Sequence, residues 1–256
     1  GAGAVASVIA DEAARRGLDV TIVRNGARGM MWLEPLVEVE TPAGRVGYGP
    51  VRAADVASLF DAGFLTGGKH ALSIGVVSEH PYLAKQERLC FARVGVTDPL
   101  SWDDYCAHGG SRGLQAALAM SGADGVAAVT ESGLRGRGGA AFPTGIKWKT
   151  VLDTAADQKY VVCNADEGDS GTFSDRMTME DDPFLLIEGM TIAGVVTGAT
   201  QGYIYVRSEY PHAERALLAA IATAYERGVL GESVLGSGKR FDLEVRRGAG
   251  AYICGE

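Results

Sequence analysis

The chain has 256 residues, 46% of them hydrophobic and 22% charged, which is the balance of an ordinary globular protein and not of a disordered one. Its length exceeds the roughly 100 to 200 residues usual for one domain, so two domains are expected. A net charge of −8 argues against sequence-independent nucleic-acid binding, which requires a basic surface to neutralise phosphates.

In chain order, the pattern VASVIADEAARR between Ala4 and Arg16 has apolar residues at helical spacing and stops at Gly17, predicting a first helix. Leu18 to Val23 reads as a short strand. Trp32 to Val39 reads as a second strand, turning at Pro42-Ala43-Gly44 into Arg45 to Tyr48 as a hairpin. A helix is predicted from Ala53 to Phe60. This order suits a small α/β domain of the thioredoxin kind over residues 1–75, without the CxxC that thioredoxin chemistry needs. Residues 76–110 show no steady period and contain Pro81 and Pro99, as a connector would. Short helices are predicted at Gly113 to Met120 and Gly125 to Thr130. From Thr144 onward helices and strands alternate: helix Thr144 to Ala156, strand Tyr160 to Cys163, a helix within 182–196, strand Tyr203 to Val206, helix His212 to Arg227 and strand Phe241 to Val245. Alternation of this length predicts a parallel sheet, whose ligands sit at the carboxyl ends of the strands. The second domain is expected over residues 111–256. The last stretch, Gly248 to Glu256, is glycine-rich and stops where a strand hands over to a loop, as in a truncated domain.

The longest apolar runs, such as Phe184 to Ile187, fall short of the roughly 20 residues of a membrane helix. No signal peptide stands at Gly1, so the expectation is a cytoplasmic protein without membrane insertion. Four cysteines, Cys90, Cys106, Cys163 and Cys254, are widely spaced and form neither a zinc nor an iron-sulfur ligand set. They are expected to be buried, reduced thiols. The 36 glycines are about twice the usual share, so many backbone positions need permissive angles or close approach to something.

Two stretches carry the chemistry. In GLRGRGGAAFPTGIKW, residues Gly136 to Ala141 match GxGxxA, although no strand is evident before Gly136, and a simple tight turn is an equal alternative. The Gly145-Ile146-Lys147-Trp148 sequence breaks the Walker A pattern. Side-chain-free backbone admits a flat ring, Pro143 opens a helix whose N-terminal N–H groups favour anions, and Lys147 adds a cation. A planar cofactor with a phosphate fits that combination; a solvated Lys147, and core packing of Phe142 and Trp148, are the ordinary alternatives. In YVVCNADEGDSGTFSDR, Asn164, Asp166 and Glu167 fall at a strand's carboxyl end, where they could accept hydrogen bonds from a heterocycle or a sugar chain. A solvated acidic face and an oxygen-ligated metal are the rival readings, and EF-hand spacing is not met.

Five ordered motifs, GLRGRGGAAFPTGIKW, NADEGDSGTFSDR, LLIEGM, GYIYVRSEYPHA and RGAGAYICGE, resemble the family of flavin- and NAD-binding subunits shared by respiratory complex I, NAD-reducing hydrogenases and NAD-dependent formate dehydrogenases. The N-terminal VRNGARGMMWLEPLVEVETPAGRVGYGPV looks most like the β subunit of a molybdenum-containing formate dehydrogenase, in which a cluster-free thioredoxin-like domain precedes a Rossmann-like FMN/NAD-binding domain. The resemblance implies FMN on Gly136, Arg137, Gly138 and Gly139, and Lys147 towards its polar tail. Asn164, Asp166 and Glu167 would surround the ring and ribityl chain. It also implies Phe142 stacked on the NAD adenine, and Tyr252, Gly255 and Glu256 closing the flavin site. Ala141 stands where many relatives have Gly, and Asp169-Ser170 where complex I members show Glu-Pro, placing the Asp169 carboxylate near the nicotinamide side. The family's 4Fe-4S ligands lie downstream of this chain. The implied function is hydride exchange between NAD(H) and FMN, with single electrons passing to an iron-sulfur chain in partner subunits, one containing molybdenum. The rivals are the diaphorase component of a hydrogenase or complex I and, in another class, an inactive nucleotide-binding scaffold.

Overall fold

The computed structural model describes residues 1–169 and 171–250. The chain divides into two compact units, residues 1–90 and 91–256. The division falls inside the stretch 76–110, so residues expected to form a connector are shared between the units.

The first unit opens with α1 (Ala2–Arg15), whose Val5, Ile9 and Ala13 lie four residues apart on one buried stripe. Gly17, at φ +68, ends it: the Leu18 N–H donates to Ala13 O at 2.9 Å and the Gly17 N–H to Ala14 O at 3.0 Å, the paired bonds of a Schellman stop. Strands β1 (Val37–Thr41), β2 (Gly44–Tyr48) and β3 (Ser73–Val76) form an antiparallel sheet in that order. The Pro42-Ala43 turn joins the first two, as the hairpin pattern requires. A 3-10 turn, Ala53–Asp55, leads into α2 (Val56–Asp61). Tyr48, Leu59 and Phe64 are fully buried with the α1 stripe, and the Tyr48 hydroxyl donates to Gly68 O at 2.7 Å. Three expectations need correction. Leu18 to Val23 forms no strand, and its exposed Leu18, Ile22 and Val23 find no partner edge among the described residues. Met31–Leu33 is a 3-10 turn, so the strand starts only at Val37. β3 is absent from the predicted elements and ends at the expected boundary between domain and connector; Gly75, at φ +78, disguises a strand that pairs with β2 through an irregular register at Gly47/Tyr48. The small helix α3 (Pro81–Ala84) follows.

The second unit carries α4 (Trp102–Ala107), α5 (Arg112–Leu118), α6 (Gly122–Glu131) and α7 (Thr144–Asp153), then β4 (Tyr160–Ala165), α8 (Ser174–Asp181), α9 (Pro183–Thr197), β5 (Gln201–Val206), α10 (Pro211–Glu226) and β6 (Asp242–Arg247). The three strands are parallel, in the order β4-β5-β6, the α/β arrangement that the alternating pattern predicts. Ala165 pairs with Val206 and Val206 with Arg247, so the three carboxyl ends are level. α9 is the core helix. It is apolar nearly all round, with Phe184, Ile187 and Val196 buried, and it touches β4, β5 and helices α5, α6, α7, α8 and α10.

Buried polar groups on and beside α9 hold neighbouring helices. Glu188, only 6% exposed, accepts the Ser111 and Leu114 N–H groups at 2.8 Å each and the Tyr105 hydroxyl, capping the start of α5 from a distant part of the chain. Asp182 accepts from Arg93 at 2.9 Å. Burial pushes the Asp182 carboxyl above its ordinary range, against the pull of Arg93.

Candidate functional site

The glycine-rich loop hangs from a closed neck. Arg135 and Pro143 form an isolated antiparallel bridge, the Gly136 N–H donates to Phe142 O and the Thr144 N–H to Leu134 O, both at 2.9 Å. Arg135 also reaches Ala141 O at 3.1 Å. No regular strand precedes the loop, and this bridge takes its place. Gly136, Arg137, Gly138, Gly139 and Phe142 are all exposed. A side chain added at Gly138 or Gly139 would meet nothing within 4 Å. Ala141 sits at φ +52, a left-handed angle that glycine adopts without strain.

The neck leads straight into α7. Pro143 is its N-cap residue and no side chain caps its first turn, so beyond the Thr144 N–H, which donates to Leu134 O, the Gly145 and Ile146 N–H groups have no partner among the described residues at the positive end of the helix. Lys147, in the next turn, is exposed and forms no ion pair among the described residues. Trp148 instead packs against the core. Gly145 lets α7 lie directly on α6, because a Cβ there would fall 2.1 Å from Thr130 Oγ1 and 2.8 Å from Thr130 Cα.

The second stretch lies at the carboxyl end of β4. Asn164 is exposed, and its Oδ1 accepts the Asp166 N–H at 3.1 Å. Asp166 is 6% exposed, yet its carboxylate accepts no hydrogen bond among the described residues. The residue is largely buried but its carboxylate oxygens keep contact with solvent, so they are open to a donor from a bound group. Glu167 differs. At φ +46, its carboxylate accepts the Asp175 N–H at 2.8 Å, the Arg176 N–H at 3.0 Å, Ser174 Oγ at 3.2 Å and the Tyr210 hydroxyl at 3.0 Å. It thus caps the start of α8 and holds Tyr210. Asp169 is exposed and accepts Thr172 Oγ1 at 3.2 Å. Tyr252, Gly255 and Glu256 lie outside the described residues.

Two residues that the motifs did not single out face this end. Arg207 Nη1 donates to Glu167 O at 2.8 Å and its guanidinium lies 5.0 Å from the Tyr210 ring centroid. Burial pushes the Tyr210 phenol up, and its bond to Glu167 adds to this, so the hydroxyl stays a donor. Both follow β5 directly, and the rule that selected Asn164, proximity to a strand's carboxyl end, applies equally to them. No hydrogen bond joins 136–142 to 164–169 among the described residues. The two stretches share a scaffold instead, since α7 packs on α9 and α9 on β4.

The features match what an FMN site needs: bare loop backbone beside an uncapped helix start and an exposed lysine, and an acceptor without a donor at the sheet end. Among the described residues no group of three His, Cys, Asp or Glu side chains is placed to hold a metal ion, and no helix is long and apolar enough to cross a membrane. Cys90 is exposed, which corrects the expectation of buried thiols, while Cys106 and Cys163 are half-buried. Burial raises the Cys163 thiol to about 11.

Comparison with known proteins agrees with the geometry. The chain is 53% identical over 172 residues to NADP-reducing hydrogenase subunit HndC of Solidesulfovibrio fructosivorans, covering 67% of this chain and 35% of that protein. It is 49% identical over 171 residues to an NADH-quinone oxidoreductase component of Rhizobium meliloti (strain 1021), covering 66% and 41% respectively. The chain thus spans 35 to 41% of the length of these relatives. Its fold resembles that of an NAD+-reducing [NiFe]-hydrogenase crystallised in the H2-reduced state, with a TM-score of 0.52 at 24% identity over 98% of this chain and 41% of that one. The Nuo51 FMN-binding domain profile matches residues 129–256, from the end of α6 through the glycine loop and the parallel sheet. The chain therefore belongs to the Nuo51 FMN-binding domain family.

Proposed function

We propose that this chain is the flavin-holding module of a nicotinamide-linked electron-transfer complex. The observation that carries the reading is Asp166, a largely buried residue at the level ends of a parallel sheet whose carboxylate touches solvent and has no donor among the described residues. FMN, when bound, supplies two-electron exchange with a nicotinamide dinucleotide and one-electron exchange with an iron-sulfur centre. The chain's own residues bind and orient. Gly136, Gly138 and Gly139 offer backbone to the flat ring, and the start of α7 with Lys147 offers positive charge to the phosphate. Asp166 accepts a hydrogen bond from the ring or the ribityl chain, with Asn164 fixing the backbone at that point. Phe142, half exposed beside the loop, offers a face to the base of a dinucleotide.

The names of the relatives support a diaphorase-type component of an NAD(P)-reducing hydrogenase or a quinone-reducing NADH dehydrogenase. The finer assignment to a formate dehydrogenase β subunit rests on the N-terminal VRNGARGMMWLEPLVEVE stretch alone. A purified parent complex assayed with hydrogen, quinone and formate as alternative partners of NAD(H) separates these readings. For the site itself, Asp166→Asn keeps shape and removes charge. Hydrogen bonds to charged groups contribute about 1.5–3 kcal/mol, so FMN affinity, read by quenching of flavin fluorescence, should fall about tenfold or more. Unchanged affinity would remove Asp166 from the site.

A further inference from the structure

The loops leaving β4 and β5 are tied together one residue beyond Asp166. Glu167 is held from three directions. Its carbonyl accepts from Arg207 at 2.8 Å, and its carboxylate accepts the Tyr210 hydroxyl at 3.0 Å. The same carboxylate accepts the first-turn N–H groups of α8 at 2.8 and 3.0 Å. The guanidinium groups of Arg207 and Arg176 lie 5.0 and 5.6 Å from the Tyr210 ring centroid. Arg207 is itself steadied by Glu209 at 3.3 Å, and Arg176 by Glu180 at 2.9 Å.

This web maintains two features that an isolated loop would give up. One is the left-handed angle of Glu167, which a residue with a Cβ adopts only when its surroundings hold it there. The other is the direction of the Asp166 side chain, which has no hydrogen-bond donor of its own among the described residues and so is aimed by its backbone alone. Neither Arg207 nor Tyr210 needs to touch a ligand to matter.

Resting on the FMN reading above, we infer that Arg207 and Tyr210 are positioning residues that clamp Glu167 and thereby hold Asp166 ready for the bound group. A purely structural clamp predicts that their loss lowers stability and leaves the binding affinity of the folded protein unchanged. A positioning clamp predicts that Asp166 and Tyr210 act through one another.

The test is a double-mutant cycle on the whole chain. Tyr210→Phe, which removes only the hydroxyl, should weaken FMN binding about tenfold in a fluorescence titration of folded protein. In an Asp166→Asn background it should weaken binding no further. Arg207→Lys, which keeps a cationic donor, should retain more affinity than Arg207→Met. Additive losses in the cycle, or unchanged affinity in Tyr210→Phe, would overturn the inference. A second measurement needs no flavin: amide hydrogen exchange of the free protein should show Asp175 and Arg176 exchanging about tenfold faster in Tyr210→Phe, and equal rates would show that no clamp exists. Wild-type protein that binds no FMN refutes the functional reading and the ligand half of this inference, while the exchange experiment still decides the clamp itself.

Discussion

Phe142 illustrates how one residue's surroundings decide its role. It is 50% exposed, its carbonyl closes the neck of the glycine loop, and its ring is outside the buried core. Base stacking on an aromatic contributes about 1–3 kcal/mol in nucleic-acid complexes, so Phe142→Ala in the intact protein should weaken NADH binding about ten- to a hundredfold. FMN content and melting temperature should stay at wild-type levels, because no core contact is removed. A core residue of that size would instead cost about 3–5 kcal/mol of stability, so titration with NADH and a thermal melt on one variant separate the two roles. Glu167 teaches the opposite lesson. Its place after a strand marks it as a ligand candidate, but the donors around it belong to α8 and Tyr210, contacts that no spacing rule reveals.

At the scale of elements, α9 organises the second unit, and the ion pair at its start is the point to probe. Asp182 is 2% exposed, and burial raises its carboxyl above the ordinary value despite Arg93. The folded state therefore keeps the Asp182 proton to higher pH than the unfolded state does. The resulting stabilisation is fully present below the unfolded value and is lost as pH rises through the folded one. Arg93→Met leaves that carboxylate buried alone, which costs about 3–5 kcal/mol. Denaturation of this variant at neutral pH should show that loss, and acidification through the raised Asp182 pKa should recover part of it. A deficit that is the same at both pH values would show that packing, not charge, was lost. The elements themselves were mostly legible: α1, α9, α10 and the three parallel strands follow from periodicity with a residue or two of slack at their ends, and the β1-β2 hairpin does too, although β1 starts five residues later than expected. β3 was hidden by Gly75 and an irregular register, and Leu18 to Val23 has strand composition without an edge to pair with. The Glu188 cap on α5 joins residues far apart in sequence, so only the folded chain displays it. The glycine loop and the sheet end were legible as a site because both rest on local patterns, whereas the Arg207–Tyr210 clamp depends on β4 and β5 being neighbours.

Over the whole molecule, two compact units separate the hairpin-based N-terminal part from the sheet that carries the site, and the family match falls entirely within the second. The central claim is that the loop at 136–139 holds FMN, and Gly138 tests it most directly. Its φ is not left-handed, and an added Cβ meets nothing within 4 Å, so the ligand-free fold has room for a larger side chain. Gly138→Val should therefore keep its stability within about 0.5 kcal/mol, as exposed substitutions do. Against a bound ring the same side chain is overpacked, at about 1–3 kcal/mol, so flavin fluorescence titration should show FMN bound about ten- to a hundredfold more weakly. Wild-type FMN affinity in a folded Gly138→Val protein would contradict the account.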